Sequence, residues 1–320
     1  MRILVIGGAG YIGSHVQKQL LEEGFGVTVF DDLSSGDRVN LLPGADFILG
    51  SILDKKALAH AMSGGIDGVV HLAAKKAVGE SMERPEIYAE NNICGALNIL
   101  NAMTACGVRH IVFSSSAAVY GMPRYIPLDE AHPIEPINYY GYTKAAIEEN
   151  MRWYARLGKI DYAALRYFNA VGYAADKSIT GKERNPQNLL PIIMEAATGK
   201  REKLSIFGND YDTPDGTCVR DYVHVSDLAR AHTLALKKLA ADGESFTVNL
   251  GTGKGTSVKE IVDATEKVIG RKLNYDYAPR RAGDPAILTA KADKARQLLG
   301  WEPQYTDIEE IIRTVWNLEQ

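Results

Sequence analysis

Cysteine is scarce: Cys94, Cys106 and Cys218 are too few and too far apart for a disulfide framework. No CxxC or Cys-His cluster is present. His15, His71, His110, His132, His224 and His232 show no ligand spacing, so no metal site is expected. Positive charge is not in excess, since 36 Lys and Arg stand against 40 Asp and Glu for a formal net charge of −4. That balance excludes a general binder of nucleic acid or anionic membrane. A polyanionic ligand must therefore be held by local groups. No apolar run approaches the ~20 residues of a membrane span. The opening MRILVIGG has neither a charged n-region nor a cleavage site, and a soluble cytoplasmic protein is expected. Repeats and low-complexity tracts are missing too. With 46% hydrophobic and 24% charged residues, the 320-residue chain suits one large or two ordinary globular domains.

Short apolar runs recur with amphipathic segments between them. The runs at 2–7, 27–31, 46–50, 68–73, 110–116 and 162–169 read as strands. Residues 14–23, 54–62, 86–106 and 140–156 carry apolar positions at helical spacing. This alternation predicts βαβ units and an α/β fold, a Rossmann-like doubly wound parallel sheet with helices on both faces. From 172 to 186 the chain turns polar and irregular, and the alternation weakens beyond it. A boundary there divides a nucleotide-binding domain, 1–172, from a smaller α/β substrate-binding C-terminal domain, 173–320. A helix over 224–240 and a strand over 246–250 are expected to be able to return to the first sheet.

Two stretches carry chemistry. GGAGYIGS places Gly7, Gly10 and Gly13 between the first strand and the first helix. Glycines there permit a tight turn and let main-chain N–H groups approach a pyrophosphate beside the positive end of a helix. The second strand ends in Asp31, where an acid accepts bonds from adenosine ribose hydroxyls and repels a 2′-phosphate, so NAD is expected rather than NADP. Asp32 follows as a weaker partner. The second stretch is YYGYTK, in which only Tyr140 stands four residues before Lys144 and so shares its helix face. A phenol ionises near pH ~10, and an ammonium close by favours the phenolate. The pattern fits an activated base or a tyrosine-rich helix start.

Together with Ser116 in FSSSAAVYG, these pieces resemble the extended short-chain dehydrogenase/reductase family. KAVGES (76–81), YYGYTK, RYFNAVG (166–172), GTCVRDYVHV (216–225) and PRRAGDPA (279–286) look like its UDP-hexose 4-epimerase branch, end to end. The resemblance implies that Tyr140 is the acid and base, that Lys144 binds nicotinamide ribose, and that Ser116 bonds the reacting sugar hydroxyl. It assigns Gly7, Gly10, Tyr11, Ile12, Gly13, Asp31, Asp32, Ser51, Ile52, Leu72, Ala73, Ala74, Lys76, Asn91, Ser114 and Phe168 to the cofactor. Lys76, Asn169, Asn188, Leu189, Ser205, Phe207, Arg220, Arg281, Asp284 and Leu288 would surround the UDP-sugar. A guanidinium fork matches phosphate oxygens, which suits the two arginines. A homodimer, paired through the helices at 86–106 and 140–156, is also implied.

The implied reaction is reversible C4 epimerisation of UDP-galactose and UDP-glucose through a 4-keto sugar, with NAD taking and returning the hydride. Tyr140 would then need a pKa lowered by ~3 units through Lys144 and the nicotinamide together. Five positions depart from the family pattern or vary within it. HLAAKKAVGES carries changed residues at Leu72, Ala74 and Lys75, and Ser51 stands in place of an acid thought to contact adenine. Leu288 replaces the bulky tyrosine some members have, so UDP-N-acetylhexosamines are expected as further substrates. Alternatives within the fold are a UDP-uronate or UDP-pentose 4-epimerase, a nucleotide-sugar dehydratase or decarboxylase, and a silent NAD-binding protein. Dehydratase relatives carry an acid where this chain has Ala117 and Ala118.

Overall fold

The computed structural model describes residues 1–183, 186, 188–281 and 283–320. From the N-terminus the chain forms β1 (Arg2–Ile6), α1 (Tyr11–Glu22), β2 (Gly26–Asp31), β3 (Ala45–Leu49), α2 (Lys55–Met62), β4 (Gly68–His71), α3 (Val78–Glu83) and α4 (Pro85–Tyr88). It continues through α5 (Gly95–Cys106), β5 (His110–Ser116), α6 (Tyr139–Arg156), β6 (Asp161–Tyr167), β7 (Asn169–Val171), α7 (Leu189–Ala197), β8 (Leu204–Phe207) and β9 (Val219–His224). The remainder is α8 (Val225–Asp242), β10 (Phe246–Leu250), β11 (Gly255–Ser257), α9 (Val258–Ile269), β12 (Tyr275–Ala278), β13 (Ile287–Leu288), α10 (Asp293–Leu299) and α11 (Ile308–Trp316). Among the described residues no helix is long and apolar enough to cross a membrane.

Seven parallel strands make the main sheet in the order β10-β6-β5-β4-β1-β2-β3. Its strands are nearly continuous apolar runs because both faces are covered. Val16, Leu20, Leu228 and Leu236 from α1 and α8 pack on one face; Leu58, Ile99, Met103, Ile147 and Met151 from α2, α5 and α6 pack on the other. A third core, with Leu190, Ile193, Ile206, Ile261 and Ile312, lies in the C-terminal part. There β9 pairs with β7, β11 and β13, while β8 pairs with β12. Strand order reverses between β1 and β4, and in such sheets ligands lie beyond the carboxyl ends at that crevice. The segment after α8 does return to the first sheet, as β10 pairs with β6 from Phe246 to Leu250.

Two expectations need correction. The strand expected over 162–169 ends at Tyr167; Asn169 begins β7 and pairs with Tyr222, so the chain passes there from one sheet to another. The helix expected over 86–106 is broken: a wide π-helical turn, Ala89–Cys94, separates α4 from α5. Such turns are found where side chains are placed for use. Here Asn92 turns inward, accepting the Lys75 N–H at 2.8 Å and donating to the Lys75 carbonyl at 3.0 Å and the Thr143 hydroxyl at 3.1 Å.

Candidate active site

The glycine turn sits at the carboxyl end of β1. Gly7 has φ +83, and a Cβ there would come within 2.6 Å of the Ala73 amide nitrogen, so only glycine lets β1 and the Leu72–Ala74 segment approach so closely. Gly10 is the N-cap of α1 and no side chain caps it, leaving first-turn N–H groups for an anion. Tyr11, which opens the helix, donates its hydroxyl to the Gly172 carbonyl at 2.5 Å. Asp31 accepts the Ala9 N–H at 2.9 Å and the Leu33 N–H at 2.8 Å. Burial pushes its carboxyl up and those two bonds pull it down. A carboxylate has about four acceptor positions, so two remain for ribose hydroxyls. These residues fit a dinucleotide. Asp32 accepts the Ser34 N–H at 2.9 Å, and Ser51 accepts the Leu53 N–H at 3.3 Å.

β5 and α6 bring the proton-handling groups together. Asn138 caps α6 by accepting the Gly141 N–H at 2.8 Å. A Cβ on Gly141 would lie 2.3 Å from the Ala118 carbonyl oxygen, so that glycine lets the helix start against the turn Ala117–Val119. Ser81, from KAVGES, accepts the Tyr140 N–H at 3.1 Å. The Tyr140 phenol stands close enough to the Ser116 hydroxyl for the serine to favour its ionised form. Lys144 is 3% exposed. It donates to the Ser114 carbonyl at 2.7 Å, with its Nζ 4.7 Å from the Phe113 ring centre and 5.8 Å from that of Tyr140. Tyr142 lies on the outer side of the helix, 49% exposed.

Burial pushes the Tyr140 phenol up from its ordinary value, and the Ser116 bond pulls it back in part. Burial lowers Lys144 to about 7, against an upward pull from Glu148. The protein's own groups therefore do not lower the phenol. Burial makes the lysine easy to deprotonate, because its ammonium is desolvated.

Other expected residues fall into pairs. Lys76 forms an ion pair with Glu183, from the polar loop. The Asn91 amide donates to Asn92 at 3.0 Å. Ile52 is buried; Ser114, also buried, has its hydroxyl bonded to His232. Phe168 and Leu288 pack on one small cluster, Ala117, Val119, Tyr120 and Leu128. On the C-terminal side Arg220 pairs with Asp284, and the Arg281 guanidinium lies 4.1 Å from the Phe207 ring centre. The Asn169 amide donates to the Asp221 carbonyl at 3.2 Å. Asn188 is the N-cap of α7, with Leu189 its first residue; Ile12 packs against the first core. Ser205 shares the exposed face of β8 with Phe207 and donates to Asp276 at 2.9 Å. Sequence reasoning missed Ser81, Asn92 and Glu183. KAVGES pointed at the first only as part of a motif, and nothing local marks the other two. All three cysteines are free, and no metal-binding group of side chains occurs among the described residues.

The model of the NAD dependent epimerase/dehydratase family matches residues 3–251. A UDP-glucose 4-epimerase of Lacticaseibacillus casei is 48% identical over 319 residues, 99% of this chain and 96% of that protein. The crystal structure of UDP-glucose 4-epimerase from Brucella ovis in complex with NAD has a TM-score of 0.95 and 43% identity, covering 98% of this chain and 96% of its own. A UDP-glucose 4-epimerase of Stenotrophomonas maltophila, with bound NAD and formylated UDP-arabinopyranose, gives 0.96 and 40%, covering 100% of this chain and 98% of its own.

Proposed function

The chain belongs to the NAD dependent epimerase/dehydratase family, and we propose that it interconverts UDP-glucose and UDP-galactose at C4, with Tyr140 as acid and base. It is an isomerase that uses NAD. The observation that carries the reading is Tyr140 beside Ser116, with the buried Lys144 one helical turn away and its Nζ 5.8 Å from the Tyr140 ring centre, at the carboxyl ends of the central strands.

A sugar C4–H is too weakly acidic to invert by proton abstraction. NAD, when bound, would supply the acceptor and then the donor of the C4 hydride, the sugar passing through a 4-ketone, so that no net oxidation remains. The Gly7–Gly13 turn and the open end of α1 hold the pyrophosphate, Asp31 the adenosine ribose, and Lys144 the nicotinamide ribose. Phe168, packed on the Ala117–Leu128 cluster, would line the nicotinamide end. Tyr140 accepts the proton of the 4-hydroxyl and later returns it to the same oxygen, while Ser116 hydrogen-bonds that oxygen. Arg220 and Arg281 hold the diphosphate, with Asn169, Asn188, Leu189, Ser205, Phe207 and Asp284 around UDP. Firm holding of UDP and loose holding of the hexose let the ketone turn over. Through Leu288 the reading extends to UDP-N-acetylhexosamines.

General-base help of this kind is worth ~10²–10⁴ in rate. Tyr140→Phe is expected to keep its NAD and lose at least that much turnover of UDP-galactose. Near-parental turnover in that variant would refute the assignment.

A further inference from the structure

β5 ends in three consecutive serines, and each is held from a different direction. Ser116 meets Tyr140. Ser114 turns toward His232, whose Nδ1 lies 2.8 Å from the Leu228 carbonyl and must donate to it. Nε2 is then the acceptor, and the Ser114 hydroxyl donates to it at 2.7 Å. Ser115 points to the opposite face and donates to Glu148 at 2.5 Å. Glu148 is four residues beyond Lys144 on α6 and 3% exposed. Arg166, from β6, closes it with Nε 2.9 Å from Oε1 and Nη2 on Oε2. The remaining Arg166 donor reaches the Tyr120 hydroxyl at 3.0 Å, which donates to Asn249 at 2.5 Å. A desolvated ion pair gains little stability over an apolar pair of the same size. Its place one turn from Lys144 points to another use.

We propose that Glu148, locked by Arg166 and Ser115, is a positioning residue of the epimerisation that keeps the charge on Lys144 and with it the proton-accepting form of Tyr140. The proposal rests on the reading of Tyr140 and Lys144 as the proton-transfer pair. Lys144 faces Tyr140 and Glu148 from its own helix, the Ser114 carbonyl and the Phe113 ring from β5, and His71 from β4. Tyr167 and Arg166 stand behind on β6, the first coupled to Tyr140 and the second neutralised by Glu148. His71 is buried and neutral, pushed down to about 3 by burial and by the Lys144 charge. Glu148 supplies the upward pull on Lys144.

After losing one proton, the pair is either phenol with neutral amine or phenolate with ammonium, and only the second takes a proton from sugar. Their ratio follows the difference in proton affinity between the two groups. Weakening the lysine by one pKa unit therefore removes about tenfold of the active arrangement. It also lets the first proton leave more easily, so the acid limb of the pH–rate profile moves to lower pH.

The test uses NAD-loaded Glu148→Gln/Arg166→Gln, which removes both charges together, with Glu148→Gln and Glu148→Asp beside it. In the paired variant kcat for UDP-galactose is expected to fall about tenfold or more, its acid limb to move down, and KM to stay near the parent's. Glu148→Asp is expected to recover part of both effects. A lowered kcat with an unmoved limb would mean mere packing and overturn the proposal. So would failure of the paired variant to accumulate as NAD-loaded protein, which would assign the pair to folding. Tyr140→Phe run in parallel separates the two readings: full turnover there sinks the catalytic pair itself. Loss there with an unmoved limb in the paired variant sinks only the role of Glu148.

Discussion

Asp31 takes its two hydrogen bonds from main-chain N–H groups, whereas Arg220 gives its own to a side chain, Asp284, and to its neighbour's carbonyl. The same contrast recurs at several of the expected site residues. On the proposed dinucleotide side Gly7 is fixed by close backbone contact and Lys144 by a main-chain carbonyl and deep burial. On the other side Arg220 with Asp284, Arg281 with Phe207, and Ser205 with Asp276 hold one another. Groups tied to the main chain cannot change partner without disturbing the fold. Groups tied to each other can exchange a protein partner for a ligand at little cost. This suits a cofactor that stays and a substrate that comes and goes.

The comparison breaks first if the dinucleotide half tolerates a side chain. Gly7→Ala combines a left-handed backbone, ~1–2 kcal/mol, with overpacking against Ala73, ~1–3 kcal/mol. A loss of roughly 2–5 kcal/mol in stability is expected, together with loss of NAD on purification; calorimetry and the absorbance of released nucleotide measure both. Parental NAD content would show that this half is not rigid. Arg220→Met probes the other half and should have a smaller effect. Hydrogen bonds to charged groups are worth ~1.5–3 kcal/mol, so KM for UDP-galactose should rise ~10–100-fold while NAD content stays unchanged. Loss of NAD in Arg220→Met would join the two halves into one unit and end the distinction.

What the sequence revealed follows from how local each cause is. Alternating apolar runs and the glycine turn are short-range patterns, and β1, β2, β5 and α6 lie within a residue or two of where they are expected. Tyr140 and Lys144 were legible because a helix places residues four apart on one face. The break in 86–106 was not, since its cause is Asn92 reaching Lys75 and Thr143 on other elements. Glu148 shares the spacing that exposed Lys144, but Arg166 and Ser115 give it meaning, and both come from distant strands. The expected lowering of the Tyr140 phenol rested on Lys144 and the nicotinamide together, and the lysine's share assumed an ammonium turned toward the phenol. In the folded chain Lys144 spends its bond on Ser114, a contact no spacing rule contains.

Leu288 tests the comparison at its finest grain, because it lies where the two halves meet. Strand register sets it opposite Arg220, and its side chain packs on the same cluster as Phe168. On the proposed reading the hexose, joined to a diphosphate at one end and presenting C4 to Tyr140 at the other, would pass this residue. Leucine makes no hydrogen bond that an acetamido group would displace, and it leaves more room than a tyrosine. A pocket wall of this kind discriminates against an added group by only ~10–200-fold. Turnover of UDP-N-acetylgalactosamine is therefore expected within about 100-fold of that of UDP-galactose, measured as kcat/KM on one preparation. A preference of ~10³ or more for the plain sugar, ~4 kcal/mol, would mean that the hexose end is held as tightly as the cofactor, and the exchangeable half would stop at the diphosphate.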